Sequence, residues 1–213
     1  MSDRVAEMRR TYGLGKLDLE DLLIDPIAQF ARWFDHAVDA GLLDPNAMSL
    51  ATATASGQTS IRTVLLKGYG HDGFVFFTNL QSTKALQITE NPTVSLLFFW
   101  RELERQVIIN GTAERLPMVQ VAKYFVSRPR ESRIAAWVSQ QSRAVSARHI
   151  LEAQFEEMMR KFGSGEIPVP SFWGGYRVVP HTIEFWQGGT RRLHDRFLYS
   201  RAESDWTIER LSP

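Results

Sequence analysis

The run Ile183-Glu184-Phe185-Trp186-Gln187-Gly188-Gly189-Thr190-Arg191-Arg192-Leu193-His194-Asp195-Arg196 carries the most specific information in this 213-residue chain. It gathers Trp186, Arg192, His194 and Arg196 around a Gly188–Gly189 pair. Read as an extended segment, alternate residues share a face, so Arg192, His194 and Arg196 point the same way. Two fixed cations flanking an imidazole, with an indole nearby, suit a flat anionic ligand. For a lone Arg-x-His, an edge strand with solvated arginines is the plainer reading.

Outward from this run the pattern alternates between strands and helices without a regular β-α repeat. Asp25-Pro26 reads as a helix cap and first turn. Ile27, Phe30, Ala31, Phe34 and Val38 follow at helical spacing, with Gly41 as the stop. Strands are expected over Met48–Ala55 and Ser60–Lys67 around a Ser56-Gly57 turn, then over Gly73–Thr78, Thr93–Trp100 and Gln106–Leu116. Gly111 marks a bulge or close approach in the last of these. A short helix runs from a Ser82 cap through Ala85, Leu86 and Ile88 to Asn91-Pro92. Helices dominate from Pro117 to Phe162: Val121, Tyr124 and Phe125 on the first, Ile134, Ala135 and Val138 on the second. On the third, capped by Ser146, Ala147, Leu151, Phe155, Met158 and Phe162 share a face. Strands resume over Phe172–Val179, His181–Gln187, Arg196–Arg201 and Trp206–Arg210. This order predicts an α+β fold with an antiparallel sheet and disfavours a doubly wound nucleotide fold.

Composition narrows the function classes. Hydrophobic residues at 44% and charged residues at 23% are ordinary for a soluble domain with a real core. A net charge of +1 argues against a general nucleic-acid binder. Yet the arginines cluster, at Arg9-Arg10, at Arg128, Arg130 and Arg133, and at Arg191, Arg192 and Arg196, which fits small phosphorylated ligands. The absence of cysteine excludes disulfides and thiolate chemistry. The five histidines are scattered, so no metal site is expected. No apolar run reaches membrane-spanning length, and Met1-Ser-Asp-Arg-Val-Ala-Glu7 has no hydrophobic signal core. The expected location is the cytoplasm, with neither membrane nor nucleic acid as partner.

Three further segments hold candidate chemistry. In Arg62-Thr63-Val64-Leu65-Leu66-Lys67 a basic residue stands at each end of an apolar strand, as common at strand ends as at ligand sites. In Tyr124-Phe-Val-Ser-Arg128-Pro-Arg-Glu-Ser132, Tyr124 and Arg128 are one helical turn apart and Ser132 follows the proline break. A phenol, a guanidinium and a hydroxyl beside helix ends make a plausible phosphate site; a favourable arginine at a helix C-terminus is the alternative. The Gly13-Leu-Gly-Lys16 stretch is too short for a phosphate loop. Gln141-Ser142 reads as a polar loop.

Taken together, Glu184-Phe-Trp-Gln187 and, four residues on, Arg192-Leu-His-Asp-Arg196 resemble the C-terminal signature of the pyridoxamine 5′-phosphate oxidases. The resemblance extends from the N-terminal arm through Phe172-Trp-Gly-Gly175 to Trp206-Thr-Ile-Glu-Arg-Leu211. It implies a flavin-binding split β-barrel, a homodimer with flavin mononucleotide (FMN) at the subunit interface, and oxidation of phosphorylated B6 vitamers by dioxygen. Implied flavin contacts are Arg62, Thr63, Val64, Leu65, Leu66, Lys67, Phe77, Thr78, Thr83, Lys84, Gln106, Trp186 and Arg196, with Gln141 and Ser142 reaching the flavin from the second subunit. Lys67, Tyr124, Arg128 and Ser132 would hold the substrate phosphate; Arg192 and His194 would orient the substrate at the reacting face. Arg9, Arg10 and Tyr12 would close over it. Where the family pattern implies a basic residue just before Lys84, this chain has Thr83, which can hydrogen-bond a phosphate but brings no charge. The implied organisation is a mobile arm over residues 1–24, then one domain over 25–213 with a helical insert at 117–163 and a C-terminal substrate and dimerisation segment at 171–213. A related flavoenzyme, such as a phenazine-pathway oxidase, and a non-catalytic flavin or pyridoxal phosphate carrier are the competing readings.

Overall fold

The computed structural model describes residues 7, 8, 11–203 and 205–213. Among these residues nine strands form one sheet: β1 (Ala47–Ala53), β2 (Thr59–Leu65), β3 (Gly68–Gly70), β4 (Gly73–Asn79), β5 (Thr93–Trp100), β6 (Arg105–Arg115), β7 (Trp173–Gln187), β8 (Asp195–Arg201) and β9 (Trp206–Leu211). The order is β2-β1-β5-β6-β7-β4-β3, with β8 on β7 and β9 on β8. The β3–β4, β4–β7, β7–β8 and β8–β9 pairs are all antiparallel. Five α-helices accompany the sheet among the described residues: α1 (Pro26–Asp39), α2 (Thr83–Glu90), α3 (Met118–Ser127), α4 (Arg130–Val138) and α5 (Arg148–Phe162). None of them is long and apolar enough to cross a membrane.

The chain divides into two compact units. The first comprises Met1–Leu50, Ser95–Gly111 and Pro180–Pro213. Here α1 begins as its sequence dictates: the Asp25 carboxylate accepts the Ile27 backbone N–H at 2.9 Å and Pro26 occupies the first turn. The buried stripe is centred on Phe30, Trp33 and Ala37, so Val38 faces solvent instead of the core. Phe30 meets Phe98 edge-on at 5.1 Å, and Trp33 meets Phe185 at 5.2 Å.

The second unit comprises Ala51–Val94 and Thr112–Val179. Its core includes Phe125, Ile134, Ala136 and Ile167, with Trp137, Phe155 and Trp173 packed against it. Leu86 on α2 and Ala135 on α4 are exposed, and Ala147, not Ser146, is the N-cap residue of α5. The Arg130 guanidinium donates to the carbonyls of Phe162, Gly163 and Gly165 and so caps the end of α5. That arginine is spent on structure, not on a ligand.

Two expected strands merge into β7, which runs through Pro180. The proline is tolerated because β4 pairs with β7 only as far as Val178 and β8 begins pairing at Thr182. Conversely, β2 stops at Leu65, and Lys67 instead donates its backbone N–H to the Val75 carbonyl at 2.8 Å.

Candidate active site

In the second unit a cavity of about 510 Å³ is lined by Arg62, Thr63, Val64, Leu65, Lys67, Phe77, Thr78, Thr83, Lys84, Tyr124, Arg128, Gln141, Ser142 and Trp173. Among the described residues four cations line it and no Asp or Glu does. Each cation has a distinct setting. Arg62 projects from β2 and is fixed by neutral groups: Nη1 donates to Thr52 Oγ1 at 2.6 Å and Nη2 to Gln87 Oε1 at 3.4 Å. Thr52 also donates to Gln87 at 2.6 Å, and Gln87 Nε2 donates to Ser60 Oγ at 3.0 Å. Burial lowers the Arg62 pKa.

Lys84, in the first turn of α2, is itself buried. Its ammonium donates to Thr78 Oγ1 at 3.2 Å, Gln141 Oε1 at 3.2 Å and Ser82 Oγ at 3.4 Å. Desolvation and then the nearby Arg62 charge push its pKa down to about 8. A cation this costly, satisfied only by neutral oxygens, suits an arriving phosphate. Ser82 turns its hydroxyl to this ammonium and makes no side-chain cap on α2.

Arg128 follows α3 and lies 4.3 Å over the Trp173 ring. Its Nη1 and the Trp173 Nε1 are buried without a hydrogen-bond partner. Burial lowers the Arg128 pKa, partly offset by Tyr124. The Tyr124 ring stacks on Phe77 at 3.9 Å and 13°. This stack needs Gly175 opposite Phe77 on β7, where a Cβ would sit 2.8 Å from the Phe77 ring. Lys67 lies at the exposed rim.

The first unit holds a separate cluster. β7 and β8 pair Trp186 with Arg196 directly across the ladder. The link between them is not extended: Thr190–Arg192 forms a short 3₁₀ turn, and Arg191 and Arg192 have left-handed backbones (φ 56° and 64°). Arg192, His194 and Arg196 therefore do not share a face by strand alternation, contrary to the expectation from sequence. A Cβ at Gly189 would lie 2.1 Å from the Leu193 carbonyl oxygen, so the turn requires glycine there. The Gly189 N–H donates to His194 Nδ1 at 3.1 Å, which leaves Nε2 as the N–H of the neutral ring. Arg196 forms a bidentate pair with Glu184 (2.7 and 3.1 Å) and donates to the Ser212 carbonyl. The hydrogen bond to Glu184 raises its pKa, and its charge is balanced within the chain. Tyr12 sits edge-on to both Trp186 (5.7 Å) and His194 (5.4 Å).

The cavity thus collects eleven of the implied flavin positions. Leu66 is the exception in the run from Arg62 to Lys67: it is buried in the core. Gln141 and Ser142 lie beside Lys84 and Thr83 of the same chain, with the Thr83 N–H donating to Ser142 Oγ at 3.3 Å. The loop after α4 thus folds back onto the start of α2. Ser132 lies in the first turn of α4, outside the cavity lining. Gln106, Trp186 and Arg196 belong to the first unit, while Arg9 and Arg10 lie outside the described residues. Sequence reading missed Thr52, Gln87 and Trp173. For the first two the usable signal was a polar residue on an otherwise apolar face. Among the described residues no group of three or more His, Cys, Asp or Glu could hold a metal ion.

Residues 34–161 match the family model described as pyridoxamine 5′-phosphate oxidase. Residues 173–213 match that of the pyridoxine 5′-phosphate oxidase C-terminal dimerisation region. The chain belongs to the pyridoxamine 5′-phosphate oxidase family. A pyridoxine/pyridoxamine 5′-phosphate oxidase of Shewanella woodyi is 56% identical over 99% of both chains. One from Escherichia fergusonii is 56% identical over 99% of this chain and 96% of its own. Among solved structures, PhzG from Burkholderia lata, in complex with tetrahydrophenazine-1-carboxylic acid, superposes with a TM-score of 0.87. It is 32% identical, covering 93% of this chain and 100% of its own. The fold is accordingly the split β-barrel of the pyridoxamine 5′-phosphate oxidases. The C-terminal family match spans Trp173, Trp186, Arg192, His194 and Arg196.

Proposed function

We propose that the protein is an FMN-dependent oxidase that converts pyridoxamine 5′-phosphate or pyridoxine 5′-phosphate to pyridoxal 5′-phosphate. The observation that carries this reading is the carboxylate-free cavity in which Arg62, Lys67, Lys84 and Arg128 meet, in a chain 56% identical to named oxidases of this class. Two phosphates need holding, and the cavity offers two donor groups: Arg62 with Lys84, Thr78 and Ser142 for the flavin, and Arg128 with Tyr124 and Lys67 for the substrate. The unpartnered Arg128 Nη1 is a donor in want of an acceptor. Bound FMN would supply the redox chemistry, a two-electron oxidation of the substrate carbon with dioxygen as the final acceptor and hydrogen peroxide as its product. The chain's part is to bind and orient. His194 presents an Nε2–H and Arg192 a guanidinium toward the substrate, and the amine substrate releases ammonia after water attacks its oxidised carbon.

The working unit is a homodimer with FMN at the subunit interface. Support comes from the dimerisation-region match and from β2, where Ile61 and the cavity-lining Leu65 are 69% and 40% exposed in the single chain. The helix α5 likewise has no buried residue of its own. Sedimentation should give a dimer, and dilution should cost flavin and activity together. An absorption spectrum taken with FMN, before and after anaerobic pyridoxamine 5′-phosphate, tests the activity. Bleaching of the flavin bands is expected. Bound flavin that neither vitamer reduces would indicate a related flavoenzyme, and failure to bind FMN would sink the proposal.

A further inference from the structure

Glu104 is an unusual residue to find where it is. It is 2% exposed and has a left-handed backbone (φ 53°), directly before β6. Its carboxylate Oε2 accepts two successive backbone N–H groups of the N-terminal arm, Gly13 at 2.8 Å and Leu14 at 3.0 Å. Its own carbonyl accepts the Gly188 N–H at 2.8 Å and Gln187 Nε2 at 3.3 Å. One residue therefore joins the arm to the Gly188–Gly189 turn. The join is close-packed: a Cβ on Gly188 would lie 2.8 Å from the Tyr12 ring and 3.0 Å from Glu104 Cβ. The glycine-rich stretch that is too short for a phosphate loop thus holds a carboxylate with its paired N–H groups instead.

We infer that Glu104 is a positioning residue for the substrate: it latches the arm so that Tyr12 stands against Trp186 and His194. The inference rests on the oxidase reading for its kinetic consequence, but the latch itself does not. Asp195 secures the next turn of the arm by accepting the Leu17 N–H at 3.1 Å, which leaves Gly13–Leu14 as the segment that Glu104 alone fixes through side-chain hydrogen bonds among those seen.

The test compares Glu104→Gln, Glu104→Ala, Tyr12→Ala and the Glu104→Ala/Tyr12→Ala pair in the full-length, flavin-loaded protein. Trypsin cleavage after Lys16 reports arm release without reference to catalysis. Glu104→Ala should be cut at least about tenfold faster, with Glu104→Gln intermediate, because a charge-assisted pair of bonds is lost or weakened. The KM for pyridoxine 5′-phosphate should rise about tenfold, with kcat within about twofold and flavin retained. The double variant should show no further rise in KM, since both changes act through one contact. Unchanged protection of Lys16 in both Glu104 variants, or additive KM effects, would overturn the inference. If Glu104→Ala loses its flavin or its fold, Glu104→Gln decides by the same readouts. If the native protein oxidises neither vitamer, the oxidase reading falls and the cleavage rates still judge the latch.

Discussion

Arg62 and Lys84 share one cavity, and the charge of the first, added to burial, holds the second at a pKa of about 8. Two buried cations this close, with no carboxylate in the lining among the described residues, would on the proposed reading be completed by a dianion. Arrival of a phosphate reverses both penalties, because it stabilises the ammonium electrostatically and replaces its lost hydration.

Linkage gives this a pH signature. A bound anion raises the Lys84 pKa, so binding takes up a proton wherever the free protein is partly deprotonated. FMN affinity should hold near pH 7 and fall as pH rises through about 8, by at most about tenfold per pH unit. Titration calorimetry at pH 8.5 in buffers of different ionisation enthalpy should show net proton uptake. Lys84→Gln should abolish that uptake; if uptake persists, another group is responsible.

Arg128→Ala should spare flavin binding and weaken the substrate. Losing a charge-assisted phosphate contact costs about 1.5–3 kcal/mol, about a ten- to hundredfold rise in KM. Loss of flavin with unchanged substrate KM would show that the two phosphate positions are assigned the wrong way round.

Thr83 is exposed in the first turn of α2, at the cavity rim. An arginine introduced there acts through water. Thr83→Arg should therefore tighten FMN by only about two- to fivefold at low salt, an exposed pair contributing less than about 1 kcal/mol. The gain should vanish by about 0.5 M salt. Equal dissociation constants at low salt would mean that the side chain does not reach the phosphate.

Gly175→Ala should destabilise the second unit. The added methyl would lie 2.8 Å from both the Phe77 ring and Leu116 Cδ1, and 2.9 Å from the Phe76 carbonyl oxygen. Overpacking of this kind costs about 1–3 kcal/mol, to be read from the denaturation midpoint. The Phe77–Tyr124 stack should shift with it, so FMN affinity should fall as well. A variant with native midpoint and affinity would show that β7 relaxes at no cost.

Much of this was readable from sequence where the signal is local. The Asp25-Pro26 helix start, the Ser56-Gly57 turn and the Thr93–Trp100 strand depend on near neighbours, and the cations of the cavity were all named. What escaped depends on partners distant in sequence. Nothing near Pro180 tells that both flanking segments are one strand, because its tolerance comes from where β4 and β8 stop pairing. Arg196 looked like a free cation because Glu184 meets it only when β7 and β8 pair. Gln141 and Ser142 looked remote from Lys84 because the fold-back of a loop has no signature in composition. The strand reading of Arg192 failed at two non-glycine residues held in left-handed geometry, a strain sequence gives no reason to expect.

The central place of β7 also sets a timetable. Among the described residues β4 is flanked by β3 and β7, and Trp173 of β7 lines the cavity beside Arg128. During synthesis Arg62, Lys84 and Arg128 therefore leave the ribosome well before the strand that walls them in, and β4 waits with one edge open for about a hundred residues of translation. The cavity wall that Trp173 provides is therefore among the last parts of the site to be made, and until then the edges of β4 and β6 that β7 will cover are unpaired strand edges.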